Sequence, residues 1–291
     1  MEHILLIDKF INYLDSTEKS PSTLVNYRHD LNSFSKWFNE SNKFSFDANL
    51  ITVTDLREYK HYLIDYPFKP KTINRRLGSL RSFIQWLWDT NTLKDKFPLP
   101  KLVKEDQPKP KWLDKNQQHA LMRHLDRYGN KRDTHIIAIF LNTGMRVQEF
   151  VNLRWSDITI SDKKGNIMIR YSKANRYREV PLNKDARYAF IELGFKEHAG
   201  KNEYVLQGQR GHITTRGIQM MVKRRVEYTE LEFITPHILR HTFCKNLVNA
   251  GVGLEQIAIL AGHETLETTK LYCHPSKDDL AESVELIGEL D

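Results

Sequence analysis

Four stretches in the second half of this 291-residue chain concentrate side chains suited to anion chemistry. In Thr143-Gly-Met-Arg146-Val-Gln-Glu149 a glycine-bearing break precedes a helix and sets an arginine on its first turn. Helix N-termini and guanidinium forks both favour phosphate. Glu149, three residues on, shares that helical face and can orient Arg146; the alternative is an ordinary surface ion pair at a helix start. Lys173 sits in a hairpin turn within a basic cluster that includes Arg176 and Arg178. A lysine there can reach into a groove and, once desolvated beside phosphates, donate a proton; taken alone it reads as a solvated loop lysine. Pro236-His237-Ile-Leu-Arg240-His241 opens another helix, with His237 and Arg240 as surface neighbours. An imidazole beside a guanidinium opposes a metal cation and suits an anion, although His237 also fits a satisfied core histidine. In Leu260-Ala-Gly262-His263-Glu-Thr-Leu-Glu-Thr-Thr-Lys-Leu-Tyr272, Gly262 closes one helix and His263 to Thr265 open another that ends near Tyr272. Tyr272 is one of twelve tyrosines, and spacing alone leaves it a packing residue.

Helices and one small sheet must position these groups. Helical patterns cover about 114–126 and 133–142, and a short helix runs from Arg146 to Leu153. Alternating or β-rich segments at 155–160, 166–171 and 177–182, with turns at Asp162-Lys-Lys-Gly165 and Lys173-Ala-Asn-Arg176, predict a three-stranded antiparallel sheet. Helices return at about 183–194, 214–228, 235–250, 253–261, 264–272 and 277–289.

The first hundred residues predict a four-helix bundle. Ile4, Leu5, Phe10, Ile11 and Leu14 mark the first helix. Ser20 caps the second, Pro21 suits its first position, and Leu24, Tyr27, Leu31, Phe34 and Phe38 line its apolar face. The third covers about 55–65, capped by Thr54 or Thr52. The fourth, from about Pro70 to Trp88, has Ile73, Leu77, Leu80, Ile84 and Leu87 as its stripe. Pro98-Leu-Pro100 and Lys104-Glu-Asp-Gln-Pro-Lys-Pro-Lys111 then exclude a helix or a central strand. The expectation is a mainly α protein with a small antiparallel β-sheet: a helical domain over 1–103, a linker over 104–111, a second domain over 112–276 and a terminal helix over 277–291.

With 40% apolar residues the chain can bury two cores, and its net charge of +7 suits a polyanionic partner. Residues 277–291 depart from that balance, with one lysine against six carboxylates. Cys244 and Cys273 form no disulfide framework and no secretory leader precedes them, which predicts a cytoplasmic protein with buried or inert thiols. No apolar run approaches the roughly 20 residues a membrane span needs, so a soluble protein with no membrane partner is expected.

TGMRVQE, the hairpin lysine, HILRH and GHETLETTKLY occur in a single order, and so ordered they resemble the tyrosine recombinase, or phage-integrase, family. The chain is similar to the Xer-type recombinases and to resolvases of that kind carried by some transposons. The resemblance spans the second domain and, less sharply, the first through SPSTLVNYRHDL and PKTINRRLGSLRSFIQWL. It implies a SAM-like core-binding domain and a catalytic domain that form a C-shaped clamp on DNA. It assigns Tyr272 as the nucleophile and gives Arg146 and Arg240 the non-bridging oxygens of the scissile phosphate. Lys173 would protonate the departing 5′-oxygen, His237 would assist proton transfer with Tyr272, and His263 would hydrogen-bond the phosphate. Glu149 fits the family's acidic supporting position. Ala174 stands where relatives often have glycine, and Lys173 is chosen by its distance from Val180-Pro-Leu182; Arg176 is the substitute.

These roles make physical sense. Two fixed guanidinium groups stabilise charge building on five-coordinate phosphorus more than they stabilise the ground state. Attack by tyrosine stores the energy of the broken strand in a 3′-phosphotyrosyl ester, which a free 5′-hydroxyl can attack in turn. No cofactor is therefore expected, and the sequence has neither a Walker loop nor a carboxylate cluster at metal-site spacing.

The implied partner is double-stranded DNA with an inverted-repeat recombination site. Thr23, Tyr27, Lys71, Thr72, Asn74, Arg75, Arg76 and Arg81 are the candidate contacts in the first domain, and Arg176 in the second. Otherwise these form a solvated helix face or, for Tyr27, a core position. The terminal helix pairs Leu280, Val284 and Ile287 with an acidic face, which suits a protein groove. The resemblance implies cyclic docking of that helix within a homo-tetramer on two DNA sites, with or without a heteromeric or accessory partner; packing on its own domain is the alternative. Exchange through a Holliday junction would serve resolution, integration or excision. A type IB-like topoisomerase and a non-catalytic sequence-specific DNA-binding regulator are the rival readings. The small helical first domain speaks against the former, and the full set of reactive side chains against the latter.

Overall fold

The computed structural model describes residues 2–105, 110–170, 177–208, 211–227 and 229–273, with side chains from Leu6 onward. Lys173, Arg176 and the expected helix over 277–291 lie outside the described residues. The chain divides into two compact units, Met1–Gln107 and Pro108–Asp291.

The first unit is built from α1 (Glu2–Ser16), α2 (Pro21–Asn42), α3 (Val53–Asp65) and α4 (Pro70–Asp89). Local signals set the helix starts. The Ser20 side chain accepts from Thr23 N ahead of Pro21, and Thr52 rather than Thr54 caps α3, in a reciprocal box with Asp55. Phe10, Leu31, Phe34, Phe38, Leu56, Leu63, Leu77, Leu80 and Ile84 fill the core. Each such side chain contributes roughly 1.5–3 kcal/mol by leaving water. After α4 the proline-marked segment is tied back to the bundle. Arg81 Nη1 donates to Pro100 O at 3.0 Å, and the Asn74 amide bonds both Val103 N and Val103 O, at 2.8 and 2.9 Å.

The second unit begins with α5 (Lys115–Tyr128), α6 (Lys131–Thr143) and α7 (Val147–Val151). Arg146 is the N-cap residue of α7 rather than part of its first turn. Strands β1 (Ile158–Ile160), β2 (Gly165–Arg170) and β3 (Tyr177–Pro181) form an antiparallel sheet in that order, with Ile167 opposite Val180 and Ile169 opposite Arg178. Helices α8 (Lys184–Glu192) and α9 (Phe195–His198) follow, then a small hairpin of β4 (Gln207–Gly208) and β5 (Gly211–His212). Helix α10 (Thr215–Val226) leads to α11 (Pro236–Asn249), α12 (Leu254–Ala261) and α13 (Leu266–Lys270). The β4–β5 hairpin was not expected, because two-residue strands are too short to show a period of two. It braces α7, since His212 Nε2 bonds Val151 O at 2.6 Å.

Two apolar clusters organise this unit. The larger includes Ile137, Phe140, Phe150, Ile167, Val180, Phe190, Val222 and Leu239. The smaller joins Phe243 and Cys244 of α11 to Ile257 and Ala261 of α12 and to Tyr272. Gly144 lets α6 end against α11. Its φ is +61°, and an added Cβ would lie 2.2 Å from Phe243 Cδ1. Left-handed strain and overpacking together predict that Gly144→Ala lowers stability by about 2–4 kcal/mol in urea unfolding. An unchanged midpoint would show that this junction tolerates a side chain.

Candidate active site

The period of two along β3 turns Arg178 and Val180 to the same buried face. A guanidinium held there needs an anion, and the buried Glu149 supplies it. Its two oxygens accept from Arg178 Nη1 and Nη2, each at 2.8 Å. They also accept from Arg146 Nη1 at 3.0 Å and Arg146 N at 2.7 Å. Burial alone would raise the Glu149 pKa, but the bonds and charges of Arg178 and Arg146 outweigh it and hold the carboxyl below its ordinary range.

Helix ends secure the same arginines from the other side. Leu260 O and Gly262 O, at the C-terminus of α12, accept from Arg178 Nε at 3.1 Å and from Arg146 Nη2 at 2.6 Å. Carbonyls there lack intrahelical donors and carry the negative end of the helix dipole. Arg240, only 3% exposed, donates from Nη1 to Gly144 O at 2.6 Å, at the C-cap of α6. Burial and the nearby Arg146 push its pKa down, yet a guanidinium stays protonated in proteins. Arg146, Arg178 and Arg240 thus converge around one carboxylate, a surplus of positive charge suited to a phosphate.

The histidines and Tyr272 complete the cluster. His263 Nδ1 bonds Thr269 Oγ1 at 2.9 Å, and its ring lies parallel to that of Tyr272 with centroids 5.9 Å apart. His237 is exposed, and its ring meets His241 edge-on at 4.0 Å. The group on the Tyr272 hydroxyl is not His237 but His241, through Nδ1. The buried Cys244 packs beside Tyr272 in one cluster, whereas Cys273 is exposed. Tyr272 itself is 1% exposed, and burial followed by the neighbouring Cys244 pushes its pKa well above the ordinary phenol value.

The structure therefore brings together Arg146, Glu149, Arg240, His263 and Tyr272, with His237 at the exposed end of α11. Sequence reading missed the roles of Arg178 and His241. Arg178 was legible from the alternation of β3, which makes it an inward-facing charge; nothing local marks His241. In the first unit, Lys71 is exposed and Thr72 half-buried on α4, and Thr23 Oγ1 bonds Ser20 Oγ at 2.7 Å. Arg75 Nη1 pairs with the buried Asp30 at 2.5 Å, and Arg76 lies 4.2 Å over the Phe68 ring. Tyr27 packs against the core, with its ring 6.1 Å from that of Phe10. Among the described residues no group of three or more His, Cys, Asp or Glu side chains is arranged to hold a metal ion, and no helix is long and apolar enough to cross a membrane.

This fold and site define a tyrosine recombinase. The chain matches the phage integrase family over residues 111–279 and the phage integrase N-terminal SAM-like domain over residues 7–91. It is 32% identical to tyrosine recombinase XerC of Oceanobacillus iheyensis, over 96% of this chain and 94% of that one. Its fold is similar to that of the Tn1549 transposon integrase in complex with circular intermediate DNA, with a TM-score of 0.72, 21% identity and coverage of 97% and 98%. It is likewise similar to the XerH site-specific recombinase bound to difH substrate, at 0.71, 22%, 90% and 78%. The chain belongs to the phage integrase family and is a site-specific tyrosine recombinase.

Burial, then the surrounding cationic groups, lowers the pKa of both His241 and His263 to about 4. In the unfolded chain these imidazoles would titrate near 6.5. Between those values the unfolded state binds more protons, so stability is full above about pH 6.5 and declines as pH falls toward about 4. Denaturation midpoints across that window should fall less steeply in a His263→Asn variant than in wild type. An identical slope would mean that His263 is already protonated in the folded protein.

Proposed function

We propose that this recombinase cleaves and rejoins double-stranded DNA at an inverted-repeat site through a 3′-phosphotyrosyl ester on Tyr272. The convergence of Arg146 and Arg240 on the region of Tyr272, anchored by Glu149 and two helix C-termini, carries this reading. The phenolic oxygen bonds to phosphorus as the bond to the 5′-oxygen breaks. Arg146 and Arg240 hold the non-bridging oxygens and stabilise the charge that grows on them, with His263 as a further phosphate ligand. His237, exposed at the start of α11, takes up the phenolic proton, and Lys173 donates one to the departing 5′-oxygen. The reverse attack by a 5′-hydroxyl rejoins strands, and a Holliday junction links the two rounds of exchange.

In this reading residues 1–103 grip DNA, 104–111 link, 112–276 carry the chemistry and 277–291 dock on a neighbouring protomer in a homo-tetramer on two sites. The XerH complex with difH substrate supports a DNA partner. Lys71, Thr72 and Thr23 are the contacts proposed in the first unit, whereas Arg75 is engaged with the buried Asp30. Asn74 and Arg81 are engaged with residues 100–105 and support the chain where it leaves α4. The cytoplasm, where DNA is reached directly, is the proposed compartment.

A DNA duplex nicked near the exchange point tests the chemistry. Wild type should accumulate a covalent protein–DNA adduct and Tyr272→Phe none; an adduct in the variant would refute the assignment. Lys173→Ala should slow trapping by about 10²- to 10⁴-fold and regain most of it when sulfur replaces the leaving 5′-oxygen, since a thiolate leaves without a proton. Failure of the sulfur substrate to rescue would move the acid elsewhere. Removal of residues 277–291 should leave single-site binding intact and abolish pairing of two sites in sedimentation; intact pairing would refute the docking role.

A further inference from the structure

An α-helix turns about 100° per residue, which sets Thr242 about 200° and Asn246 about 240° round α11 from Arg240. On that far side the segment that follows the proline-rich stretch lies along the helix. Leu113 N donates to Thr242 Oγ1 at 3.0 Å, and the same hydroxyl donates to Ile238 O at 2.9 Å. Gln118 Nε2 donates to Leu113 O at 2.9 Å and to Asn246 Oδ1 at 3.2 Å, and Asn246 Nδ2 returns a bond to Gln118 Oε1 at 2.9 Å. The Trp112 ring centroid lies 5.2 Å from Lys245 Nζ, and Lys111 Nζ lies 6.0 Å from that of Phe233, just ahead of the helix.

Helix α11 is therefore held between two anchors. On one side Arg240 Nη1 donates to Gly144 O at the end of α6; on the other, residues 112–118 grip the turn from Thr242 to Asn246. Thr242 and Leu113 are 0% and 1% exposed, so the bond between them is closed to water. The Thr242 hydroxyl is used both ways, and a valine there would leave Leu113 N buried without that acceptor. A phosphate ligand tolerates little displacement: about 1 Å of misplacement from a remote change can cost about 10²-fold in rate.

We propose that Thr242 and Gln118 are positioning residues for the phosphate clamp, through which the segment at 112–118 sets where α11 presents Arg240. This rests on the reading of Arg240 as a ligand of the scissile phosphate. Neither side chain touches DNA in this role. Their effect reaches the reaction only as the placement of one guanidinium.

The test uses the full-length protein and two nicked duplexes. One carries the natural phosphate at the exchange point; the other carries a methylphosphonate, in which a neutral methyl replaces a charged non-bridging oxygen. With less charge to stabilise, the second depends less on Arg240. On the phosphate at saturating duplex, Thr242→Val should slow covalent trapping about tenfold, with affinity within about twofold of wild type. Gln118→Ala should slow it about threefold, and Thr242→Ser, which keeps the hydroxyl, should trap at close to the wild-type rate. On the methylphosphonate each slowed variant should come within about twofold of wild type. If urea unfolding shows that Thr242→Val does not fold, Gln118→Ala decides, since that side chain is only half-buried and its partner Asn246 is exposed. Wild-type trapping on the phosphate by the folded variants overturns the proposal. Equal slowing on both duplexes overturns it as well, because a merely structural loss would act that way. Arg240→Ala on the same duplexes separates the two readings: if its own defect persists in full on the methylphosphonate, the assignment of Arg240 to the phosphate is what fails, and the proposal falls with it.

Discussion

The buried carboxylate of Glu149 is the constraint on which the rest of the catalytic unit depends. Three arginines from α7, β3 and α11 approach one another there, an arrangement that repels itself unless negative charge stands between them. Glu149 bridges two of the three, with Arg178 bidentate on one side and Arg146 on the other. Removing one partner from a buried pair of this kind costs about 3–5 kcal/mol, because a desolvated charge is left behind. The site's electrostatics and the packing of the sheet against α7 are thus one problem with one solution.

Backbone dipoles complete that solution. The end of α12 receives both Arg146 and Arg178, and the end of α6 receives Arg240. Each helix terminates at a glycine with positive φ, Gly262 and Gly144, which exposes its last carbonyls to these side chains. The glycines of the TGMR and AGH stretches therefore matter less for phosphate contact than for shaping acceptors that hold the arginines. In the proposed reaction, what remains of the guanidinium charge stabilises the charge that grows on the phosphate. Tyr272 adjoins this polar machinery at its hydroxyl, while its ring lies in an apolar cluster with Phe243, Ile257 and Ala261, where burial keeps the phenol protonated.

Much of this was legible in the sequence because it is local. Ser20-Pro21 and the heptad-like spacing of Leu31, Phe34 and Phe38 announce α2, and the alternation around Ile167 and Ile169 announces β2. Arg146, Arg240, His263 and Tyr272 could be named because each lies in a distinctive short motif. Arg178 was read as part of a basic turn, since the strand's inward register is visible only when Val180 is taken as its partner in phase. His241 escaped because its role depends on Tyr272, 31 residues away, reaching the second turn of α11. Asn74 and Arg81 look like DNA contacts on a helical wheel. Their bonds to Val103 and Pro100 arise from the path of an irregular segment, which no periodicity encodes.

In the proposed reaction Glu149 acts by fixing Arg146 rather than by touching DNA. Glu149→Gln removes the charge and keeps the shape, so the decisive measurement is its rate of covalent trapping on a nicked duplex beside its affinity for the same duplex. The expected result is an affinity within about twofold of wild type and trapping slowed at least about tenfold, as when a preorganised transition-state contact is loosened. A folded Glu149→Gln protein that traps at the wild-type rate would contradict it.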